Sequence, residues 1–227
     1  MAVQTRSNPA KAAPGSVVNP AANLARELIT ARQVFDWTLQ GKCFTASIPV
    51  ETDSIDGIAA SEDLAHTFML SSDRGGSKIV VPICTQIMMH TNDGTGIVYV
   101  DVSVIRSAND VATLRTISGT SMNITNNRSD LHGNHTATAL YTATSSALDG
   151  TTDWLRIKHY TCQSGQDGDR DNAANANTVI INHLQDEAPL VLYKLGSLTV
   201  QAIGATTDPT VRCVFQWAEL DVADYLP

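Results

Sequence analysis

Residues 96–107 show the side-chain period of a β-strand more clearly than any other segment of this chain. Valine occupies every second position from Val98 to Val104, and successive side chains of a strand point to opposite faces. The valines therefore share one face, which we expect to be buried. After Gly41 the period of two persists, and strands do not alternate with long helical segments, which favours an all-β fold over a parallel α/β fold.

Eleven segments are predicted to form strands because they combine this period with β-branched or other apolar residues. They are residues 43–50, 66–71, 78–90, 96–107, 120–125, 135–144, 154–162, 178–182, 190–194, 197–205 and 210–219. Asn92-Asp93-Gly94 predicts a hairpin between the third and fourth segments, and Pro82 predicts an edge or a bulge. Short strands at this spacing predict an antiparallel two-sheet β-sandwich of the jelly-roll type over residues 42–227.

The first 41 residues have a different pattern. Residues 1–22 mix Ala, Pro, Ser and Asn without a hydrophobic period, so we predict a flexible N-terminal arm. Residues 23–41 predict one short amphipathic helix and its connector, because apolar residues recur at helical spacing along one face and Gly41 follows them. That apolar stripe consists of Leu24, Leu28, Ala31 and Phe35.

Composition and charge exclude several classes of protein. Of the 227 residues, 43% are hydrophobic and 17% are charged, a balance typical of a folded chain. The net charge of −8 argues against a domain that wraps nucleic acid or lies on an anionic membrane. No apolar run approaches the roughly 18 residues of a membrane span, and the N-terminal residues lack the apolar region of a signal peptide. We therefore expect synthesis and folding in a cytoplasm.

Cysteine usage and aromatic spacing both favour a plain apolar core. Cys43, Cys84, Cys162 and Cys213 lie far apart, without zinc-ligand spacing, so we predict reduced core or strand cysteines. Trp217 follows Val211, Cys213 and Phe215 at spacing two, which predicts a buried face. The alternative is a sugar-binding platform of exposed aromatic rings, whose candidates are Trp37, Trp154, Trp217, Tyr141 and Tyr160.

One string suggests catalysis. Gly119-Thr120-Ser121-Met122 is similar to the serine box of subtilisin-like proteases, and residues 132–135 are similar to their histidine box. In that family, however, the serine follows the histidine in the chain and opens a helix. Ser121 precedes His132 in a β-rich stretch, so we predict an ordinary hydroxyl, no catalytic residue and no enzyme.

Two clusters suggest metal ions. Asp130, His132 and His135 have ligand chemistry, but the two histidines differ in strand parity, which favours a polar surface loop. Asp167, Asp169 and Asp171 alternate as in the first half of a calcium loop. Asn172 and Thr178 replace the glycine and glutamate of an EF-hand. This acidic loop is our one candidate metal site, with calcium as the ion, and the alternative is a solvated acidic loop. We expect no other cofactor.

The arrangement of arm, helix and β-sandwich resembles the single jelly-roll shell proteins of viruses. Residues 195–200 through 214–219 look like the last strand pair of virion β-sandwich proteins, in which a glycine-led strand completes one sheet. The resemblance implies a virion structural protein, most simply of a bacteriophage, that forms homo-oligomers and contacts other virion proteins. Its arm and helix would reach neighbouring subunits. The arm carries only Arg6 and Lys11 as basic residues, which implies weak or absent nucleic-acid contact.

A second class of function stays open. A ligand- or carbohydrate-binding β-sandwich, such as a phage head fibre or receptor-binding protein, would concentrate exposed aromatic side chains at one end. A shell protein would instead place spare apolar surface on lateral contacts between copies. The position of the aromatic residues in the fold separates the two hypotheses.

Overall fold

Two antiparallel sheets pack face to face in this chain. The computed structural model describes residues 33–48, 55–56, 65–91, 97–105, 117–131, 133–145, 154–163, 178–184, 190–204 and 210–225. The predicted arm, most of the predicted helix and the acidic loop lie outside these ranges. Within them, α1 covers Gln33–Leu39 and α2 covers Val222–Tyr225.

Twelve strands form within the described residues, and nine of them lie close to predicted segments. In chain order they are β1 (Cys43–Ser47), β2 (Ile55–Asp56), β3 (Ala65–Ser71), β4 (Lys78–Thr91), β5 (Ile97–Ile105), β6 (Ile117–Ser121), β7 (Asn123–Asn126), β8 (Thr138–Ser145), β9 (Trp154–Gln163), β10 (Thr178–Asn182), β11 (Ser197–Gly204) and β12 (Thr210–Asp221). The predicted strand at residues 190–194 is reduced to one bridge, between Leu192 and Val80.

The strand order is that of a jelly roll. The first sheet has the order β10-β4-β12-β1-β7, with β2 paired to β12, and the second has the order β6-β8-β3-β11-β5-β9. Eight strands remain when β2 and the inserted β6, β7 and β8 are set aside. Among these eight, the first pairs with the last, the second with the seventh, the third with the sixth and the fourth with the fifth. This nested pairing defines the jelly-roll sandwich and confirms the predicted fold class.

The inserted strands close one side of the sandwich. β8 and β6 extend the second sheet beyond β3, and β7 extends the first sheet beyond β1. The chain crosses between the sheets at Met122, which is buried and donates its N–H to Ala139 O at 2.9 Å. The single strand predicted at residues 120–125 is therefore wrong: it is the end of β6 and most of β7, in different sheets.

The inner faces of the two sheets form the main core. The stacked rings of Phe44 and Trp217, with centroids 5.9 Å apart, lie in this core. Trp217 and Phe215 are fully buried, which confirms the core face predicted for β12. Val100 and Val102 of β5 are fully buried in the same core, and the partly buried Val104 packs against it.

Two predictions about strand pairing are wrong. β4 and β5 do not form a hairpin, because β4 pairs with β10 and β12 whereas β5 pairs with β11 and β9 in the other sheet. β11 and β12 are not a strand pair either, since they occupy central positions of different sheets. In both cases a strand distant in sequence takes the position that a local hairpin would need.

Pro82 marks a bulge, as predicted. Trp217 of β12 lies opposite Pro82, and the preceding Gln216 lies opposite Cys84, so Ile83 has no partner in β12. A proline is tolerated there because the ladder of hydrogen bonds is already interrupted.

Candidate interaction surface

The short helix α1 ends because glycine follows it. Gly41 has a φ of 71°, a left-handed conformation that costs glycine little. Its N–H donates to Thr38 O, and the N–H of Lys42 donates to Trp37 O, both at 2.9 Å. These two bonds form the Schellman motif that commonly terminates a helix, and they confirm the end of the helix predicted at Gly41.

One face of α1 packs on the outer face of the first sheet. Trp37 is 6% exposed and, with the partly buried Val34, covers apolar side chains of three strands. Those side chains are Cys43, Ile79, Val81, Ala218 and Leu220. Burying an aromatic ring contributes a few kcal/mol, so α1 is firmly attached to the sheet.

The other face of α1 is also apolar, but it is exposed. Phe35 and Leu39 lie one helical turn apart and are 57% and 55% exposed. Phe35 is the last residue of the apolar stripe predicted from Leu24 onward, and Leu39 continues it. In the described part of the helix, the stripe therefore faces away from the sandwich.

The β7–β8 connection holds the C-terminal end of α1. Arg128 donates from Nη1 to Leu39 O at 2.9 Å, and Asn126 donates from Nδ2 to Gly41 O at 2.7 Å. Leu131, 38% exposed, lies against Gly41 so closely that a side chain at position 41 would collide with it. We call Phe35, Leu39 and Leu131 the α1 surface. Each is an exposed apolar side chain on α1 or on the connection that holds its end.

Asp130 belongs to this support, because its carboxylate is paired with Arg128. Arg128 donates from Nε and from Nη2 to the two carboxylate oxygens of Asp130, each at 2.8 Å. These hydrogen bonds from the guanidinium lower the pKa of the Asp130 carboxyl. His135 turns elsewhere: its Nδ1 donates to Ala137 O at 3.1 Å, and its ring meets that of Phe44 edge-on. The side chains of Asp130 and His135 thus have separate partners, and His132 lies outside the described residues.

The other predicted site residues have simple locations where they are described. Ser121 is an exposed residue at the end of β6. Asp167, Asp169 and Asp171 lie outside the described residues, so the calcium site stays a prediction. Among the residues that the structure does describe, no three His, Cys, Asp or Glu side chains come together as metal ligands would.

Two of the three tryptophans and two of the four cysteines lie in the interior. Trp37 and Trp217 are buried and do not contribute to an exposed sugar platform, while the side chain of Trp154 is not described. Cys43 and Cys213 are buried free thiols. Burial raises the pKa of both, and that of Cys213 lies well above its ordinary value. Both thiols therefore stay neutral core residues.

Sequence reasoning did not identify Glu219 as a buried carboxylate. Glu219 is 3% exposed and accepts four hydrogen bonds between 2.8 and 3.1 Å, from Thr136 N and Oγ1, Ala137 N and Trp217 Nε1. It joins the end of β12 to the segment that leads into β8. These hydrogen bonds of Glu219 therefore fix the position of the β6–β8 insertion, which supports α1.

Comparisons with known proteins identify no relative of this chain. The chain matches no family model, and no curated protein or solved structure shows significant similarity to it. The jelly-roll assignment thus rests on the strand pairing. In the described part of the chain, no helix has the length and apolar character needed to span a membrane.

Proposed function

We propose that this protein is a non-enzymatic virion structural protein, most simply of a bacteriophage, that self-assembles into a capsid shell or decorates one. The observation that carries the proposal is the α1 surface. A rigid helix has one apolar face on its own sheet, and its exposed face carries Phe35 and Leu39. Exposed apolar patches on supported elements mark contacts with other proteins, and a second copy is the simplest partner in a symmetric assembly.

The architecture supports the same proposal. A jelly-roll sandwich is frequent among viral shell proteins, although one fold serves many functions. The apolar stripe that begins at Leu24 extends towards the N-terminal arm. The arm and helix would therefore contact neighbouring subunits together, and the sandwich would form the wall of the shell.

The charge distribution defines the expected partners. With a net charge of −8 and only Arg6 and Lys11 as basic residues in the first 22 positions, assembly would depend on protein contacts more than on nucleic acid. The expected partners are further copies of this chain and other virion proteins. The protein would be located in the virion after synthesis in the host cytoplasm.

Electron microscopy and light scattering of the purified full chain test this proposal. We expect closed shells or fixed capsomers for the wild type. The double variant Phe35→Ser/Leu39→Gln should shift the population to smaller species, while its thermal midpoint stays within about 2 °C because exposed side chains contribute little to stability. Phe35→Met/Leu39→Met keeps the apolar area and should assemble normally. A wild type that stays a monodisperse monomer at high micromolar concentration would overturn the proposal.

A further inference from the structure

The strand β10 forms an edge of the first sheet. Within the described residues it pairs with β4 on one side, and no strand pairs along its other side. Its sequence is Thr-Val-Ile-Ile-Asn, which has high β-propensity and contains neither a charge nor a proline. An edge of this composition is a template for another strand.

The hydrogen-bond pattern shows which backbone groups face outward. The N–H of His183 donates to Ile83 O at 2.9 Å, and the register continues with Ile181 opposite Thr85 and Ile180 opposite Gln86. In an antiparallel ladder, hydrogen-bonded and non-hydrogen-bonded pairs alternate. Ile181 therefore bonds to β4, whereas the N–H and C=O of Ile180 point away from it.

The side chain of Ile180 is exposed as well. At 65% it is the most exposed large hydrophobic residue in the described part of the chain. Val191, 49% exposed, lies on the same edge, because its neighbour Leu192 exchanges both backbone hydrogen bonds with Val80 of β4. The edge therefore offers backbone donors, acceptors and apolar side chains together.

The other edge strands carry features that discourage pairing. β9 contains Arg156, Lys158 and His159, and charged residues on an edge oppose the approach of another strand. β6 has a register shift between Ser118 and Thr120, and a bulge twists an edge away from partners. β7 is only four residues long. Among these edges, β10 is the one without such protection.

We propose that β10 pairs antiparallel with β10 of a second copy about a two-fold axis beside Ile180, joining two first sheets into one continuous sheet. A two-fold contact needs a surface that complements itself. Ile180 is the central residue of β10, so the axis places it opposite the partner's Ile180, and the two residues exchange both outward hydrogen bonds. An uncharged edge also allows two chains of net charge −8 to approach. This inference rests on the proposed assembly function and specifies one of its contacts.

The variant Ile180→Pro tests the backbone part of the contact. Proline removes the outward N–H of residue 180 and leaves the bonds to β4 at positions 179 and 181 in place, as proline on edge strands normally does. The dissociation constant of the dimer, measured by sedimentation velocity, should rise at least about tenfold. This corresponds to a loss of roughly 1.4 kcal/mol of hydrogen bonding. Self-association equal to that of the wild type would overturn the inference.

A charge placed on each edge in turn provides the matched control. Thr125 is an exposed residue of β7, on the opposite edge of the same sheet, and it pairs with Thr45 of β1. Ile180→Lys should weaken association, and Thr125→Lys should leave it unchanged, while both variants keep the thermal midpoint of the wild type. Equal weakening by both lysines would attribute the effect to net charge and would overturn the assignment to β10.

A cysteine at position 180 tests the two-fold register. Hydrogen-bonded antiparallel residues have Cα atoms about 5.5 Å apart, a distance that a disulfide spans. Mild oxidation of Ile180→Cys should give a dimer with a 180–180 disulfide identified by peptide mapping, and Thr125→Cys should give no such link at position 125. Shells that form without any 180–180 disulfide would overturn the edge pairing and keep the proposed function. Disulfide-linked dimers without larger assemblies would support the edge pairing and overturn the proposed function.

Discussion

Glu219 shows, at the scale of single residues, how a buried carboxylate is stabilised by neutral donors. Its two oxygens accept bonds from Thr136, Ala137 and Trp217. Hydrogen bonds to a charged group contribute more than neutral ones, and donors left unpaired in the interior cost about 1 to 3 kcal/mol each. This residue therefore supports the position of β8 relative to β12.

Removing that carboxylate should destabilise the fold strongly. We expect Glu219→Ala to lower the free energy of unfolding by about 3 kcal/mol or more, because the donors of Thr136, Ala137 and Trp217 lose their acceptor. Urea titration followed by tryptophan fluorescence measures the change. Asp130→Ala is the control, since that carboxylate is 60% exposed, and it should leave the midpoint unchanged. Similar losses in both variants would contradict the role of Glu219.

A strained turn lies between residues 190–193 and β11, and a substitution in it should stabilise the fold. Lys194 and Leu195 have φ values of 47° and 66°, and Gly196 N–H donates to Tyr193 O at 2.9 Å. Two central residues at positive φ define a type I′ turn, which favours Asn and Gly. Lys194→Asn should therefore raise the free energy of unfolding by about 0.5 to 1 kcal/mol.

The control for this turn is an exposed basic residue without the unusual backbone. Arg74 lies in the neighbouring β3–β4 turn and is exposed, and it is not among the residues with positive φ. Arg74→Asn should give no stabilisation in the same denaturant titration. A gain of equal size in both variants would show that removing positive charge, and not relief of backbone strain, is responsible.

At the scale of elements, the sequence predicted strands well and their partners poorly. The alternation that defines β5 or β12 is a local property, so the observed bounds lie close to the predicted ones. Pairing depends on contacts distant in sequence, and the hairpin predicted between β4 and β5 was therefore wrong. Met122 continues the alternation of apolar and polar residues around it. The pattern therefore does not reveal that the chain passes from one sheet to the other between β6 and β7. Patterns along the chain carry no signal for these two features.

The α1 surface was predictable in part, because the spacing of apolar residues along a helix is also a local property of the chain. The helical spacing of Leu24 to Phe35 identified an apolar stripe outside the β pattern. It did not indicate that Trp37 would face the sheet, since Trp37 lies off that stripe. The position of β10 at the edge of the described part of the sheet could not be predicted, because it depends on which strand is last in the sheet. Three of the four donors to Glu219 likewise come from a segment more than eighty residues away.

At the scale of the whole molecule, the two sides of the sandwich differ. The insertion of β6, β7 and β8 extends both sheets on one side. On the opposite side, the last strands within the described residues are β10 and β9, of which β9 carries charged residues and β10 does not. The α1 surface lies on the outer face of the first sheet. A subunit with such distinct faces can contact several neighbours at once, and many weak contacts suffice for a closed assembly.

The overall charge gives a prediction that separates protein-driven assembly from assembly on nucleic acid. Copies of net charge −8 repel one another, whereas the contacts proposed at the α1 surface and at β10 are uncharged. Salt screens the repulsion, because the Debye length falls from about 30 Å at 0.01 M to about 10 Å at 0.1 M. The assembled fraction should therefore rise with sodium chloride, as light scattering can measure.

Binding to nucleic acid responds to salt in the opposite direction, since released counterions make its affinity fall steeply as salt increases. The ratio of absorbance at about 260 and 280 nm, measured on isolated particles, separates the two cases because only nucleic acid raises it. Phe35→Ser/Leu39→Gln is the control and should stay dispersed at every salt concentration, because screening cannot replace a lost apolar contact. Particles that dissolve and release nucleic acid as salt rises would show that basic residues, and not these apolar surfaces, hold the assembly together.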